Sequence, residues 1–290
     1  MLYIKYGTSF FLCNKFTFMK KILFLMFILM VLLSGEAGAQ KTKLKVQLPK
    51  KLPTVYSEKA GWKMLWHDEF DNDSIDYHVW WPQTNENVGT LTCFTQRLEN
   101  VYIKNGYLHL VNRKEDYHGY PYTGGMVFSA QKIEVNSRVE ASFKIPKGKS
   151  LWPCFWLLGG RDSIYQEVDI AEFRCSKPTE FNISNHFTDI KKKKVKQEFR
   201  SIYARTSKNK KLYLSEDFHV YVVEWTTGQL RFYLDGIMIY ELNRNIPRFP
   251  MNLILSMGVG GLDGNPEKQT EFPADFIFDY VRIYSKTEKP

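Results

Sequence analysis

Three carboxylates stand close together in the run Gln166-Glu167-Val168-Asp169-Ile170-Ala171-Glu172-Phe173. In an extended strand, side chains two residues apart share a face. Glu167 and Asp169 therefore point together, while Val168 and Ile170 point the other way. Strict alternation would send Glu172 to the Val168 face. One extra residue, a β-bulge at Ile170-Ala171, returns it to the side of Glu167. Like charges this close raise one another's pKa, and a stable fold gains nothing from arranging them so. A carboxylate pair with one member protonated and one ionised is what glycoside hydrolysis uses. Asp169, between the two glutamates, would then tune their protonation. After the bulge, Glu167 and Glu172 are on the order of 13 Å apart at Cα along a straight strand. Bending and inclined side chains must bring their carboxyls to the roughly 5–5.5 Å of a retaining pair. Two other readings share this spacing: an exposed edge strand of solvated acids, and an acidic metal site. A row of acids along one strand surrounds an ion poorly.

The surrounding chain supplies short strands to position this row. From Trp62 onward, runs rich in Val, Ile, Phe, Tyr and Trp alternate with turn signals such as Lys104-Asn105-Gly106, Pro146-Lys147-Gly148 and Asp235-Gly236. Arg138 to Ile145 alternates Val139, Ala141, Phe143 and Ile145 with Arg138, Glu140, Ser142 and Lys144. Gln229–Leu234 and Ile237–Leu242, joined by Asp235-Gly236, form a strong hairpin signal. No dozen residues carry a helical period and no repeat is visible. The expected fold is all-β, one domain over residues 62–287, made of two packed antiparallel sheets.

Composition excludes several classes. The 290 residues are 44% hydrophobic and 24% charged, which is neither disordered nor fibrous. Aromatics reach 16%, which favours strands and offers flat faces for stacking. Met19 is followed by Lys20-Lys21, the apolar run Ile22 to Leu33, and Ala37-Gly38-Ala39. That order describes an export signal, with translation starting at Met19 and cleavage after Ala39. The run is shorter than the ~20 residues of a membrane span. Residues 1–39 are thus expected to be removed, and 40–61, rich in Lys and Pro, to form a lead-in. Removing Lys5, Lys15, Lys20, Lys21 and Glu36 from the formal +9 leaves +6. This basic balance speaks to solubility rather than to a nucleic-acid partner. Lys191 to Lys194 with Lys196 reads as a solvated hairpin tip, or as a patch for an anionic polymer. Cys93, Cys154 and Cys175 match no zinc spacing and leave an odd thiol, so no structural disulfide is expected.

Taken in order, several stretches resemble glycoside hydrolase family 16. They are Trp66-His67-Asp68-Glu69-Phe70, Pro146-Lys147-Gly148 leading into Leu151-Trp152-Pro153-Cys154-Phe155-Trp156, the bulged E-x-D-x-x-E of Glu167 to Glu172, Phe218 to Trp225, Phe232 to Gly236, and Phe278 to Tyr284. The resemblance spans nearly the whole chain after the signal. It implies a concanavalin A-like β-jelly roll with an open cleft, and a monomeric, secreted, retaining endo-β-glycosidase acting on a polysaccharide. It implies Glu167 as nucleophile, Asp169 as assistant and Glu172 as acid/base, with no cofactor for catalysis. Trp152 and Trp156 share a face before the acids, and either core packing or sugar stacking suits them. His186 matches the family's cleft histidine, whereas a lone strand histidine is ordinarily structural. Trp225 reads as core. Asp279 matches a carboxylate that binds structural calcium in many members, with Glu69 and the Gly106 carbonyl as partners. Thr84 to Thr95 fits the glucanase pattern loosely, and Ala171 stands where a larger residue is usual. A β-1,3(4)-glucan is the expected substrate, with a β-galactan (agar, carrageenan, porphyran or mucin-type glycan) and a non-catalytic lectin-like module as the alternatives.

Overall fold

Runs of β-branched and aromatic residues cut by Gly, Asn and Asp turns build strands, because such side chains pack well on a pleated surface. The computed structural model describes residues 44–48, 61–84, 90–206 and 208–287. The export signal expected at 1–39 lies outside the described residues. So do residues 85–89 of the Thr84 to Thr95 segment. The described residues hold eighteen strands and one 3₁₀ turn, Gly261–Asp263.

One sheet has eight strands. In spatial order they are β1 (Leu44–Leu48), β13 (Lys194–Thr206), β12 (Glu180–Asp189), β11 (Ile164–Glu172), β10 (Leu151–Arg161), β17 (Met251–Val259), β8 (Met126–Ile133) and β3 (Trp80–Pro82). The other runs β16 (Ile237–Leu242), β15 (Leu230–Leu234), β14 (His219–Trp225), β9 (Ser137–Lys144), β18 (Ala274–Lys286), β6 (Tyr107–Tyr117), β7 (Tyr120–Gly124) and β4 (Thr92–Phe94). To it are added β2 (Trp62–Asp68) on β18 and β5 (Val101–Lys104) on β6. Neither sheet closes on itself. This is the expected jelly-roll sandwich. The strand β1 departs from the expected lead-in: it joins β13 in parallel, Leu44 opposite Ile202 and Leu48 opposite Thr206. Its Leu-Lys-Val-Gln-Leu alternation is too short to announce a strand, and its partner lies more than 150 residues away.

Hairpins follow the local chemistry. Asn105 and Gly106 have φ of 55° and 77°, and Asp235 and Gly236 have 50° and 80°. Two consecutive positive φ values make the tight turn whose twist matches the flanking strands. The Lys191 to Lys194 stretch is the exposed tip of the β12–β13 hairpin, and Lys196 at its base ion-pairs with Asp189.

The core lies between the sheets, and its aromatic centre ties them together. Phe143 on β9 stacks on Tyr221 at 4.2 Å. Its edges meet Phe155 of β10, Phe173 just after β11, and Phe276 on β18, at 5.7, 5.9 and 5.1 Å. The rings that hold the two sheets at fixed spacing thus also hold the end of the acid-bearing strand. Phe143→Ala should lower unfolding free energy by about 3–5 kcal/mol. Leu65→Ala, at a position 57% exposed, should stay within about 0.5 kcal/mol. Denaturant titration of both variants checks the contrast.

Candidate active site

The bulge on β11 is visible in both neighbours. On β12, Glu167 opposes His186, Asp169 opposes Ser184 and Glu172 opposes Asn182. Three residues of β11 are thus matched by two of β12. On β10, Trp156 opposes Asp169 while Phe155 opposes Ala171, so Ile170 is the extra residue. Ile170 and Ala171 both join the inter-sheet core, with Val168 and Phe173. Glu172 is thereby returned to the outer face with Glu167 and Asp169. A larger residue than Ala171, fully buried here, would crowd this packing.

The acids lie on an outward face yet are nearly closed off. Glu167 and Asp169 are 2% and 6% exposed, and Glu172 is partly buried. Burial first, and then the charge of Asp169, push Glu167 up to about 7. The same two causes push Glu172 up to about 8. Each carboxylate has its own partner. The Tyr165 hydroxyl donates to Glu167 Oε2, and the Trp152 indole donates to Glu172 Oε1 at 3.1 Å. Ser184 Oγ donates to Asp169 Oδ2 at 2.8 Å. His186 Nε2 sits 3.3 Å from Glu167 Oε1 and 3.2 Å from Asp169 Oδ2. Burial alone would favour neutral imidazole. The charge on Glu167 and the bond to Asp169 outweigh it and raise His186 to about 9. At neutral pH the site therefore holds an imidazolium between two carboxyl groups, a third carboxyl beside them, and two glutamates poised to differ in protonation.

Among the described residues, Glu167, Asp169 and His186 are the one trio of such side chains with ligand atoms within 4.8 Å of one another. Protonated, His186 has no lone pair to offer a cation on Nε2 and itself supplies the positive charge beside the two carboxylates. Cys154 faces the same side, opposite Glu172 on β10. Burial and the three carboxylates raise its thiol well above its ordinary value, so it fills space as a neutral group. All three cysteines of the described residues are buried, and none is in a disulfide.

The remaining expected residues divide. Trp156 lies on the outer face, partly exposed, with Nε1 donating to Ser256 Oγ at 3.2 Å. Trp152 is only 7% exposed. A side chain on Gly261 would overlap its ring, so the Gly261 backbone lies against the indole. Trp152 holds Glu172 rather than presenting a free face. Trp225 is in the core, its indole donating to Pro247 O at 2.9 Å. Asp279 accepts from Ser142 Oγ at 3.2 Å. Burial pushes its carboxyl up, with the charges of Glu69 and Asp71 adding to that. Glu69 does not fit a metal ligand, because both its oxygens take the Arg282 guanidinium at 2.8 and 2.9 Å. Sequence reasoning missed Tyr165 and Ser184. Each lies two residues before a residue it did single out, Glu167 and His186, and period two puts them on the same face.

The model for glycosyl hydrolases family 16 matches residues 76–281. A β-glucanase of Rhodothermus marinus is 29% identical over 266 residues, which cover 80% of this chain and 88% of that protein. The endo-β-1,3-glucanase of Pyrococcus furiosus has a TM-score of 0.67 and 28% identity, covering 79% of this chain and 96% of its own. A structure from work on endo-acting O-glycanases of the human gut microbiota that initiate mucin breakdown has a TM-score of 0.68 and 26% identity, covering 78% and 91%.

Each hydrogen bond to an ionised carboxylate favours the charged form, so its removal must raise that group's pKa. Trp152→Phe should move the Glu172 titration to higher pH, and Tyr165→Phe should do so for Glu167. His186→Gln should raise both, since its positive charge lowers both. Side-chain carboxyl NMR titration reads each shift. A downward shift in any of the three would break this account of the site's electrostatics.

Proposed function

The chain belongs to glycosyl hydrolases family 16, and from that membership we propose that it is a secreted, retaining endo-hydrolase of a β-1,3(4)-glucan. In this reading a single catalytic domain spans residues 62–287. Glu167 is the nucleophile, Glu172 the acid/base, and Asp169 tunes both. That the chain is a glycoside hydrolase follows from the family and from relatives named as β-glucanases. The observation that carries the finer assignment is the bulged strand β11, where three carboxyls share one face and two are raised to about 7 and 8.

Near neutral pH the lower value leaves Glu167 the more ionised and the higher one leaves Glu172 the more protonated. Glu167 attacks the anomeric carbon while the bond to the leaving oxygen breaks, and that oxygen takes the proton of Glu172. A covalent glycosyl ester results. Glu172, now ionised, takes a proton from water, which attacks the same carbon and frees Glu167. The His186 imidazolium balances charge beside Glu167 and Asp169. Desolvation strengthens each of these interactions.

Two features bear on the substrate. Named relatives favour β-1,3- and β-1,3-1,4-glucans. The neighbour from mucin O-glycan breakdown favours the second reading, an endo-hydrolase of a β-galactan or mucin-type glycan. The lectin-like alternative is disfavoured, because each of the three carboxyls keeps a hydrogen-bond partner. Export rests on the Met19 to Ala39 signal. Among the described residues, no helix is long and apolar enough to cross a membrane. A structural calcium beside Asp279 and the Gly106 carbonyl belongs to the same reading, with Glu69 left to Arg282. A cation there would offset the crowding of Asp279, Glu69 and Asp71. Added calcium should raise the melting temperature and a chelator should lower it, with Asp279→Asn insensitive to both. A native protein indifferent to both would remove calcium from the reading.

Product profiling on laminarin, lichenan, agarose, carrageenan and mucin glycans tests the substrate, and activity confined to galactans would sink the glucan reading. Glu167→Gln and Glu172→Gln should each lower kcat by about 10³-fold or more, with oligosaccharide binding kept. The native pH profile of kcat/KM should be a bell. Activity is lost below about 7 as Glu167 gains a proton, and above about 8 as Glu172 loses one. Proton NMR of the first-formed product should show retained configuration.

A further inference from the structure

The row of side chains that crosses the eight-stranded sheet at the height of Asp169 runs far beyond the acids. Cross-strand register fixes its members. Asp169 opposes Trp156, Trp156 opposes Ile254, Ile254 opposes Phe128, and Phe128 opposes Trp81 on β3. Directly opposed residues share a face, so all of these point away from the core. Their strand neighbours confirm the side: Trp80, Val127, Leu253, Leu255, Phe155 and Leu157 belong to the inter-sheet core, while none of the row does.

Beyond Asp169 the row is apolar and opens toward its far end. Ile254 is fully covered although it faces outward, Phe128 and Trp156 are partly exposed, and Trp81 is 56% exposed. From β11 to β3 is four strand spacings, about 19 Å along the sheet. A single exposed hydrophobic residue usually needs no explanation. Trp81 differs by continuing an apolar file that begins at the acids, and by its anchoring. Gln83 N donates to Met126 O at 2.8 Å on the adjacent strand. Gln96 Nε2 donates to Pro82 O at 2.7 Å. The backbone that carries the indole is thus held on β8 and by the segment after β4.

We propose that Trp81 is a stacking platform for the substrate polysaccharide, several sugar residues from the bond that is cut. The occupant is the same β-linked chain whose hydrolysis is proposed above, lying across the strands along this file, so the inference rests on that reading. A pyranose presents an apolar C–H face that suits an indole face, and Trp81 stands exposed on the terminal strand of the sheet. The platform makes the enzyme sensitive to chain length: long chains reach β3 and short ones do not.

The test compares Trp81→Ala and Trp81→Phe with the native enzyme. On the best-cut polymer, Trp81→Ala should lower kcat/KM about tenfold through KM, and Trp81→Phe should recover most of it. Hydrolysis of the shortest oligosaccharide that is cut should be unchanged, as should the melting temperature. An equal loss on short and long substrates, or no loss on the polymer, overturns the proposal. Binding separates it from the functional reading. In a Glu167→Gln background, affinity electrophoresis in laminarin, lichenan, agarose, carrageenan or mucin glycan should show retardation that Trp81→Ala weakens. If retardation is seen but the native enzyme cuts none of the five, the hydrolase reading fails and the platform stands. If the double variant is retarded as strongly as the single, or neither is retarded in any of them, the platform is overturned.

Discussion

Placing three carboxyls on the outer face of one interior strand, with two of them almost sealed from water, is the constraint on which the other features depend. Each ionised acid there costs desolvation and repels its neighbours. A site built of acids alone would resolve that conflict by protonating all three. It is instead divided by the groups set against it. His186 bridges Glu167 and Asp169 with positive charge, Ser184 and Tyr165 donate to those two, and Trp152 donates to Glu172. Charge and donors are weighted toward Glu167, which therefore stays below Glu172 in pKa. Two glutamates on one strand become unlike because their partners differ: His186 of β12 and Tyr165 of β11 itself for Glu167, Trp152 of β10 for Glu172.

The bulge is what lets β11 satisfy both of its faces. Without the extra residue, Glu172 would enter the core, where an ion finds no compensation, and Ile170 or Ala171 would lose its packing. With it, two consecutive apolar residues face the core and three acids face out. The strand is then held by pairing on both edges and by Phe173 against Phe143 and Phe181. Rigidity at this point matters because the pKa separation depends on hydrogen bonds near 3 Å, which a looser strand would not keep.

Local signals were legible in the sequence, and cross-strand ones were not. Asp235-Gly236 and Asn105-Gly106 announce their turns because only a few residue types accept positive φ there. The bulge could be read because the acids and the apolar residues cannot both alternate strictly. Tyr165 lay within reach of the same period-two reasoning, but its value lies in where a hydroxyl ends, which depends on side-chain geometry. Trp152 shared a face with Trp156 as expected, yet the Gly261 backbone against one indole and the open surface around the other give them different tasks. The Glu69–Arg282 fork joins residues 213 positions apart. No local pattern reveals that Arg282, rather than an ion, takes that carboxylate. The same holds for β1, whose partner strand only the folded topology supplies.

The outer face of the sheet thus has two zones built by one rule. Across β11 and β12 the outward positions at the acids are polar, largely buried and mutually bonded, because chemistry needs charges in a dry setting. Across β17, β8 and β3 the outward positions at the same height are apolar and progressively exposed. Desolvation is severe where the acids sit and relaxes toward the edge, where Trp81 meets solvent. A polymer laid along that gradient would meet strong electrostatics only at the bond over β11, and weak, additive contact elsewhere. Binding energy gathered at the exposed end can then support the burial of a sugar against charged groups at the other. An apolar file leading to a cluster of buried charges therefore suits an enzyme that holds a long chain and cuts it at an interior bond.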